Sequence, residues 1–233
     1  MKHFIYILLL LISFPLSGQR EKVKNDPSYD KKMLHFGFTL GLNTMDFKVV
    51  HNEASYNTDS LFAEVSQLRP GFNINIVSNL RLNETFDLRF LPGVSFGQRN
   101  LMFHKQKKLY DDNHTLESSF IEFPLVMKYK SKRLNNYRPY LLGGVDYRID
   151  LAARKEYDEE EEVYVRLKRG DLYYEVGVGI DFYLPFFKFS PELKLATGTR
   201  DVFVHEPAGS HPYFADAIDR VRSTLIILSF HFE

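Results

Sequence analysis

Residues 171–184 read DLYYEVGVGIDFYL, and residues 187–197 read FKFSPELKLAT. In the first stretch Leu172, Tyr174, Val176, Val178, Ile180 and Phe182 alternate with Glu175, Gly177, Gly179 and Asp181. In the second, Phe187, Phe189, Leu193 and Leu195 alternate with Lys188, Ser190, Glu192 and Lys194. A period of two is the signature of a β-strand, whose side chains point by turns to opposite faces. Only Pro185 and Phe186 separate the two stretches, so they read as a hairpin.

Six more stretches repeat the alternation: 34–43, 71–80, 85–98, 120–130, 137–151 and 222–232. Each is about ten residues or longer, the length a tilted strand needs to cross a bilayer. The count of eight is even, as in single-chain bacterial barrels. Alternation alone does not decide the fold, because a soluble sandwich with one buried face gives the same pattern. The connections decide it. Asn43 and Gly71 are joined by 27 residues, 81–84 is tight, 99–119 long, 131–136 short, 152–170 long, Pro185-Phe186 minimal and 198–221 long. Short periplasmic turns alternating with long extracellular loops belong to a transmembrane barrel. The expected fold is therefore all-β: an eight-stranded antiparallel transmembrane barrel.

The start of the chain agrees. Lys2 and His3 precede an apolar run, 4–12, followed by the small residues Ser17 and Gly18 and the polar Gln19-Arg20-Glu21-Lys22. This is the layout of a secretory signal, and the run is too short for a helical span. The expectation is a cleaved signal peptide over 1–18, a flexible periplasmic lead-in over 19–32 and an outer-membrane barrel over 33–233. No Cys is present, which excludes a lipoprotein anchor, disulfides and thiolate chemistry. The formal charge is zero, so there is no basic footprint for nucleic acid. The 21 Phe and 14 Tyr suit membrane girdles or a soluble core equally.

An eight-stranded barrel has a narrow interior filled by side chains. The inward face is expected to carry Asp87, Arg89, Glu122, Lys128, Asp146, Arg148, Glu175, Asp181, Glu192, Lys194 and Arg222, five basic and six acidic. Buried charges must pair, so the expectation is a plugged, salt-bridged lumen. A soluble lipocalin-like barrel would want an apolar pocket there instead. His104, His114, His205 and His211 fall in long loops without tight ligand spacing, and read as solvated rather than metal-binding. The acidic run 158–162, flanked by Arg154, Lys155, Arg166, Lys168 and Arg169, reads as a solvated loop, with divalent-cation or polysaccharide contact as the alternative. Gly143-Gly144, Gly177 and Gly179 read as places of close packing or bending. There is no nucleophile elbow or other catalytic signature. No catalytic, cofactor or metal residues are expected.

Three stretches carry a resemblance: 35–47 (HFGFTLGLNTMDF), 121–130 (IEFPLVMKYK) and 135–144 (NNYRPYLLGG). They resemble the outer-membrane β-barrel domains of the Bacteroidota, and more narrowly the PorT family. The pattern formed by Glu122, Pro124, Leu125, Lys128 and Tyr129 is common to many barrels of that superfamily. The resemblance implies a non-enzymatic accessory or assembly component of type IX protein secretion, and of gliding motility where present. Its expected partners are outer-membrane lipid and other secretion-system proteins. A general structural or adhesive surface barrel, or a small-solute porin, is the second reading. A lipid-modifying outer-membrane enzyme is the third, and it would require a Ser/His/acid cluster at one rim.

Overall fold

Backbone pairing follows the alternation and closes it into a ring. The computed structural model describes residues 23–51, 61–64, 69–105, 113–151, 168–202 and 218–233. Ten strand segments occur among these residues: β1 (Leu34–His51), β2 (Leu61–Glu64), β3 (Pro70–Arg81), β4 (Phe86–Phe90), β5 (Gly93–Lys105), β6 (Asn113–Lys130), β7 (Tyr137–Asp150), β8 (Gly170–Tyr183), β9 (Lys188–Gly198) and β10 (Ile218–Phe232). They make eight staves. β4 and β5 are one stave interrupted at Leu91-Pro92, since both pair with β6 and with β3. β2 pairs with β5 and so continues the track of β3. Every pairing is antiparallel, and β1 closes the barrel by pairing with both β10 (Phe38 opposite Phe232) and β3 (Phe38 opposite Ile76).

The break in the third stave departs from the continuous strand expected over 85–98. Pro92 has no N–H to donate, which interrupts the ladder. Its neighbours still bond across the gap: Ile76 N donates to Pro92 O at 2.9 Å and Leu91 N to Pro124 O at 3.0 Å. The strands also outrun the sequence reading at the long-loop end. β1 continues to His51, β5 to Lys105 and β6 begins at Asn113, so the connection expected over 99–119 shrinks to 106–112. The lipid-facing alternation stops there, but backbone pairing does not need it and carries the hairpin onward. At the other end the turns are tight. Asn83 Oδ1 accepts from the amides of Thr85 at 2.8 Å and Phe86 at 2.6 Å, and Asn135 takes a left-handed conformation (φ 53°) that Asn tolerates.

The outer surface is apolar and exposed: Leu40, Ile74, Leu125, Val176, Leu193 and Ile226 all point away from the interior. Aromatic rings gather near the short turns, with Phe38 stacked on Phe232 (5.0 Å between centroids) and Phe86 against Tyr129 (5.2 Å). A second group, including Phe72 against Phe96 (5.0 Å), lies toward the long loops. An apolar band between aromatic girdles is the surface of a lipid-embedded barrel. No helix among the described residues is long and apolar enough to cross a membrane, so crossing falls to the strands. The signal stretch 1–18, His205, His211 and the acidic run 158–162 lie outside the described residues, and His104 and His114 are described only in their backbone.

Candidate functional site in the barrel lumen

Alternation sends the polar half of every stave inward. Asp87 and Arg89 on β4, Glu122 and Lys128 on β6, Asp146 and Arg148 on β7, Glu175 and Asp181 on β8, and Glu192 and Lys194 on β9 are all buried in the lumen. Arg222 is the exception. In β10 the buried positions are Ser223, Leu225, Ile227, Ser229 and His231, so Arg222 belongs to the outward series of Thr224 and Ile226. It sits opposite Lys48 in the β1 pairing. The expectation that it points inward fails on parity.

The buried charges form two tiers. In the tier nearer the short turns, Arg89 bridges Glu192 and Glu233, with both nitrogen–oxygen distances at 3.1 Å. Tyr140 donates its hydroxyl proton to Glu192 Oε2 at 2.7 Å, and His231 Nε2 lies 3.2 Å from the same oxygen. The Thr39 hydroxyl and His231 Nδ1 are 2.6 Å apart. Lys128 Nζ donates to both oxygens of Asp181, at 2.7 and 2.8 Å, while sitting 3.6 Å from the centre of the Tyr140 ring. Ser190 adds a third bond to Asp181 at 2.7 Å. Lys130 pairs with Asp87, which also accepts from Asn79 at 3.2 Å. Lys188 holds the far oxygen of Glu233 at 3.0 Å.

The second tier is centred on Arg148. Its guanidinium pairs with Asp146, with Glu122 at 3.3 Å and with Glu175 at 3.4 Å. Lys194 reaches the other oxygen of Glu175 at 3.1 Å. Asn75 donates to Glu122 at 2.6 Å and to Leu91 O at 3.0 Å. A buried apolar layer of Val77, Leu91, Val126, Tyr140 and Leu142, drawn from β3, β6, β7 and the break in the third stave, lies between the tiers on that side of the bore. A second, of Met45, Phe120, Tyr173, Ala196, Leu225 and Ile227, lies beyond the upper one toward the long loops. Gly179 and Gly177 make this filling possible: a Cβ on Gly179 would collide with the Tyr140 ring, and one on Gly177 with Lys194 and the β9 backbone.

Several lumen residues escape the sequence reading. Lys130, Lys188 and Glu233 share the parity of residues that reading places inside, so their signal is present in the alternation. Tyr140 gives no such signal, being aromatic on a face otherwise chosen by polarity. Glu233 follows the last strand. Burial opposes its ionisation, but Lys188 and then Arg89 outweigh that and hold its carboxyl well below the ordinary range.

Residues 23–32, the described part of the lead-in expected over 19–32, and Met33 lie across the short-turn mouth. They include a single 3-10 turn, Tyr29–Lys31. Asp30 accepts from Arg133 at 3.1 Å, Arg138 at 3.2 Å and the Tyr183 hydroxyl at 3.3 Å, and its backbone carbonyl accepts from Arg81. Tyr29 stacks on His35 (3.9 Å, 14°) and donates to Glu233 Oε2 at 2.9 Å. Burial and then the Glu233 carboxylate push its phenol far above the usual value. Every one of these bonds comes from an arginine, tyrosine or carboxylate that the staves or turns hold at the rim.

The family model described as outer membrane protein beta-barrel domain matches residues 18–204. Among solved structures, the outer membrane protein OprG from Pseudomonas aeruginosa is similar at 10% identity, over 86% of this chain and 94% of that one, with a TM-score of 0.50. Neisserial surface protein A matches at 12% identity over 86% and 98% of the two chains (TM-score 0.43). Ail of Yersinia pestis matches at 12% over the same shares (TM-score 0.39). No curated protein matches the chain. At such identities the likeness to OprG speaks for the fold alone.

Proposed function

The chain belongs to the outer membrane protein beta-barrel domain family, and from that footing we propose that it is a non-enzymatic, non-conducting barrel acting as an accessory or assembly component of type IX protein secretion. In this reading it is a PorT-type barrel, delivered by a cleaved signal over 1–18, that meets secretion partners through its loops or its periplasmic rim. The observation that carries it is the filled lumen. Arg89, Lys128, Arg148 and Lys194 are each paired with carboxylates of the same barrel, and two clusters of buried apolar side chains add to the filling. A bore so occupied leaves docking, not conduction, as the available work. The stretches 35–47, 121–130 and 135–144 point the docking toward secretion.

Two measurements test the reading. Deleting the gene abolishes secretion of type IX cargo if the proposal holds, and unaltered secretion refutes it. Purified barrel in a planar bilayer gives no large, steady channels, and such channels would overturn the non-conducting assignment. A general surface barrel is the rival, and the long hairpins favour it: β1 and β6 each run to 18 residues, well past the length a span requires. Unaltered secretion together with lost adhesion or altered surface integrity in the deletion strain selects that rival.

A further inference from the structure

The mouth at the short turns is closed by a segment that is not part of the barrel wall. Asn25 donates its amide to Asn136 Oδ1 at 2.8 Å and its side-chain nitrogen to Tyr183 O at 3.0 Å. Asp30 gathers Arg133, Arg138 and the Tyr183 hydroxyl, and Tyr29 lies between His35 and Tyr183 with its hydroxyl on Glu233. The segment thus touches residues of β1, β3, β7, β8 and the chain end in one crossing. Lys188 Nζ is 4.6 Å from the centre of the Tyr29 ring, so the lower tier ends directly beneath it.

The way the segment is held differs from the way the staves are held. Its 3-10 turn buries no residue, and its apolar members Val23 and Met33 are 88% and 70% exposed. Its attachments are hydrogen bonds and ion pairs at the rim, with the Asp30 side chain still 31% exposed. Segments with few buried apolar contacts open locally before the whole fold does. The ions beneath are deeply buried: the Glu233 side chain is fully covered.

We propose that residues 25–33 are a removable lid on the periplasmic mouth of the lumen, with Tyr29 as stopper and Asp30 as latch. Displacing the lid admits water to the lower tier and leaves the upper tier, beyond the layer of Val77, Leu91, Val126 and Leu142, enclosed. The closed and lidless forms differ in solvent access without any change in strand pairing.

The chain has no cysteine, so an introduced thiol is a unique reporter. Ser190, fully buried in the lower tier beside Asp181, reports below the apolar layer, and Ser95, buried on β5, reports above it. Full-length Ser190→Cys and Ser95→Cys proteins in lipid vesicles are treated with a small cationic methanethiosulfonate. With the native lid both thiols react slowly. Adding Tyr29→Ala and Asp30→Ala raises the rate at position 190 at least tenfold and leaves position 95 unchanged. Asp30→Asn alone, which preserves side-chain size, raises it in the same direction. Unchanged rates at position 190 in both lid variants overturn the proposal. So does equal acceleration at positions 190 and 95, which means the barrel has loosened as a whole. Retention of the folded, heat-modifiable mobility on gels accompanies each measurement, and its loss in the lid variants counts against a lid separable from the wall.

Discussion

Replacing Arg89 with methionine removes the cation that joins Glu192 on β9 to Glu233 at the chain end. Taking one partner from a buried ion pair typically costs about 3–5 kcal/mol, because the other charge is left without compensation. Arg89 serves two carboxylates, which argues for the upper value. Both retain other donors, however: Glu192 keeps the Tyr140 hydroxyl at 2.7 Å, and Glu233 keeps Lys188 at 3.0 Å and Tyr29 at 2.9 Å. Methionine also preserves much of the packing of the arginine stem. The expected loss is therefore about 3 kcal/mol, slightly more than a hundredfold in the folded-to-unfolded ratio. Glu192→Gln in the Arg89→Met background removes one of the stranded charges and recovers about half of it, whereas Glu192→Gln alone destabilises. That reversal of sign is a coupling a double-mutant cycle reads directly. The chain lacks Trp, so urea unfolding in lipid vesicles is followed by circular dichroism and gel mobility. An Arg89→Met protein within about 0.5 kcal/mol of the parent, or a Glu192→Gln effect of equal size and sign in both backgrounds, refutes the idea that these ions form one linked plug.

Leu193→Arg, on the lipid-facing side midway along β9, costs about 2–4 kcal/mol in vesicles, whereas Phe186→Arg in the exposed turn changes stability by less than about 0.5 kcal/mol. Glu233 has its carboxyl pKa held down in the folded barrel, so its contribution is fully present above the ordinary carboxylate range near pH 4.3 and disappears as pH falls through the lowered value. The stability gap between parent and Glu233→Gln, from urea midpoints between pH 7 and pH 2, is therefore widest near neutrality and narrows below about pH 4. Neighbouring glycines respond oppositely. A Cβ on Gly143 would make only an ordinary contact with the Glu175 carbonyl at 3.8 Å, so Gly143→Ala is tolerated, while a Cβ on Gly144 meets the Leu125 carbonyl and Val126, and Gly144→Ala costs about 1–3 kcal/mol by thermal unfolding.

The staves and their two faces were legible because a period of two survives in every lipid-crossing segment. Reading the inner face by polarity located Asp87 and Arg89, and the same parity extended one step further reaches Lys130, Lys188 and Glu233. At Arg222 charge and parity disagree, and parity prevails: Ser223 and Ser229 inside β10 force Arg222 outside. Which charge meets which was not legible. Arg89 and Glu192 lie 103 positions apart and meet across the bore, and only the stagger of the closed sheet sets their heights. The continued pairing of β5 with β6 beyond the lipid belt leaves no apolar alternation to read. The segment over 23–33 has no period at all, and its attachments depend on rim residues scattered from Arg81 to Glu233.

The confinement of charge to one face of β9 has a consequence for how the barrel finds its pairing. A strand that joins its neighbour one residue out of step turns every side chain to the opposite face. For β9 that single error would present Lys188, Glu192 and Lys194 to hydrocarbon and drive Phe189, Leu193 and Leu195 against Arg89 and Arg148. Each lysine near the bilayer midplane costs about 2–4 kcal/mol, and the ions left inside would lose their counter-charges as well. Mispaired barrels are thus unable to settle in the membrane. The interior ions proofread assembly, rejecting an incorrect strand alignment that the backbone alone, whose hydrogen bonds look much the same at every step, would accept.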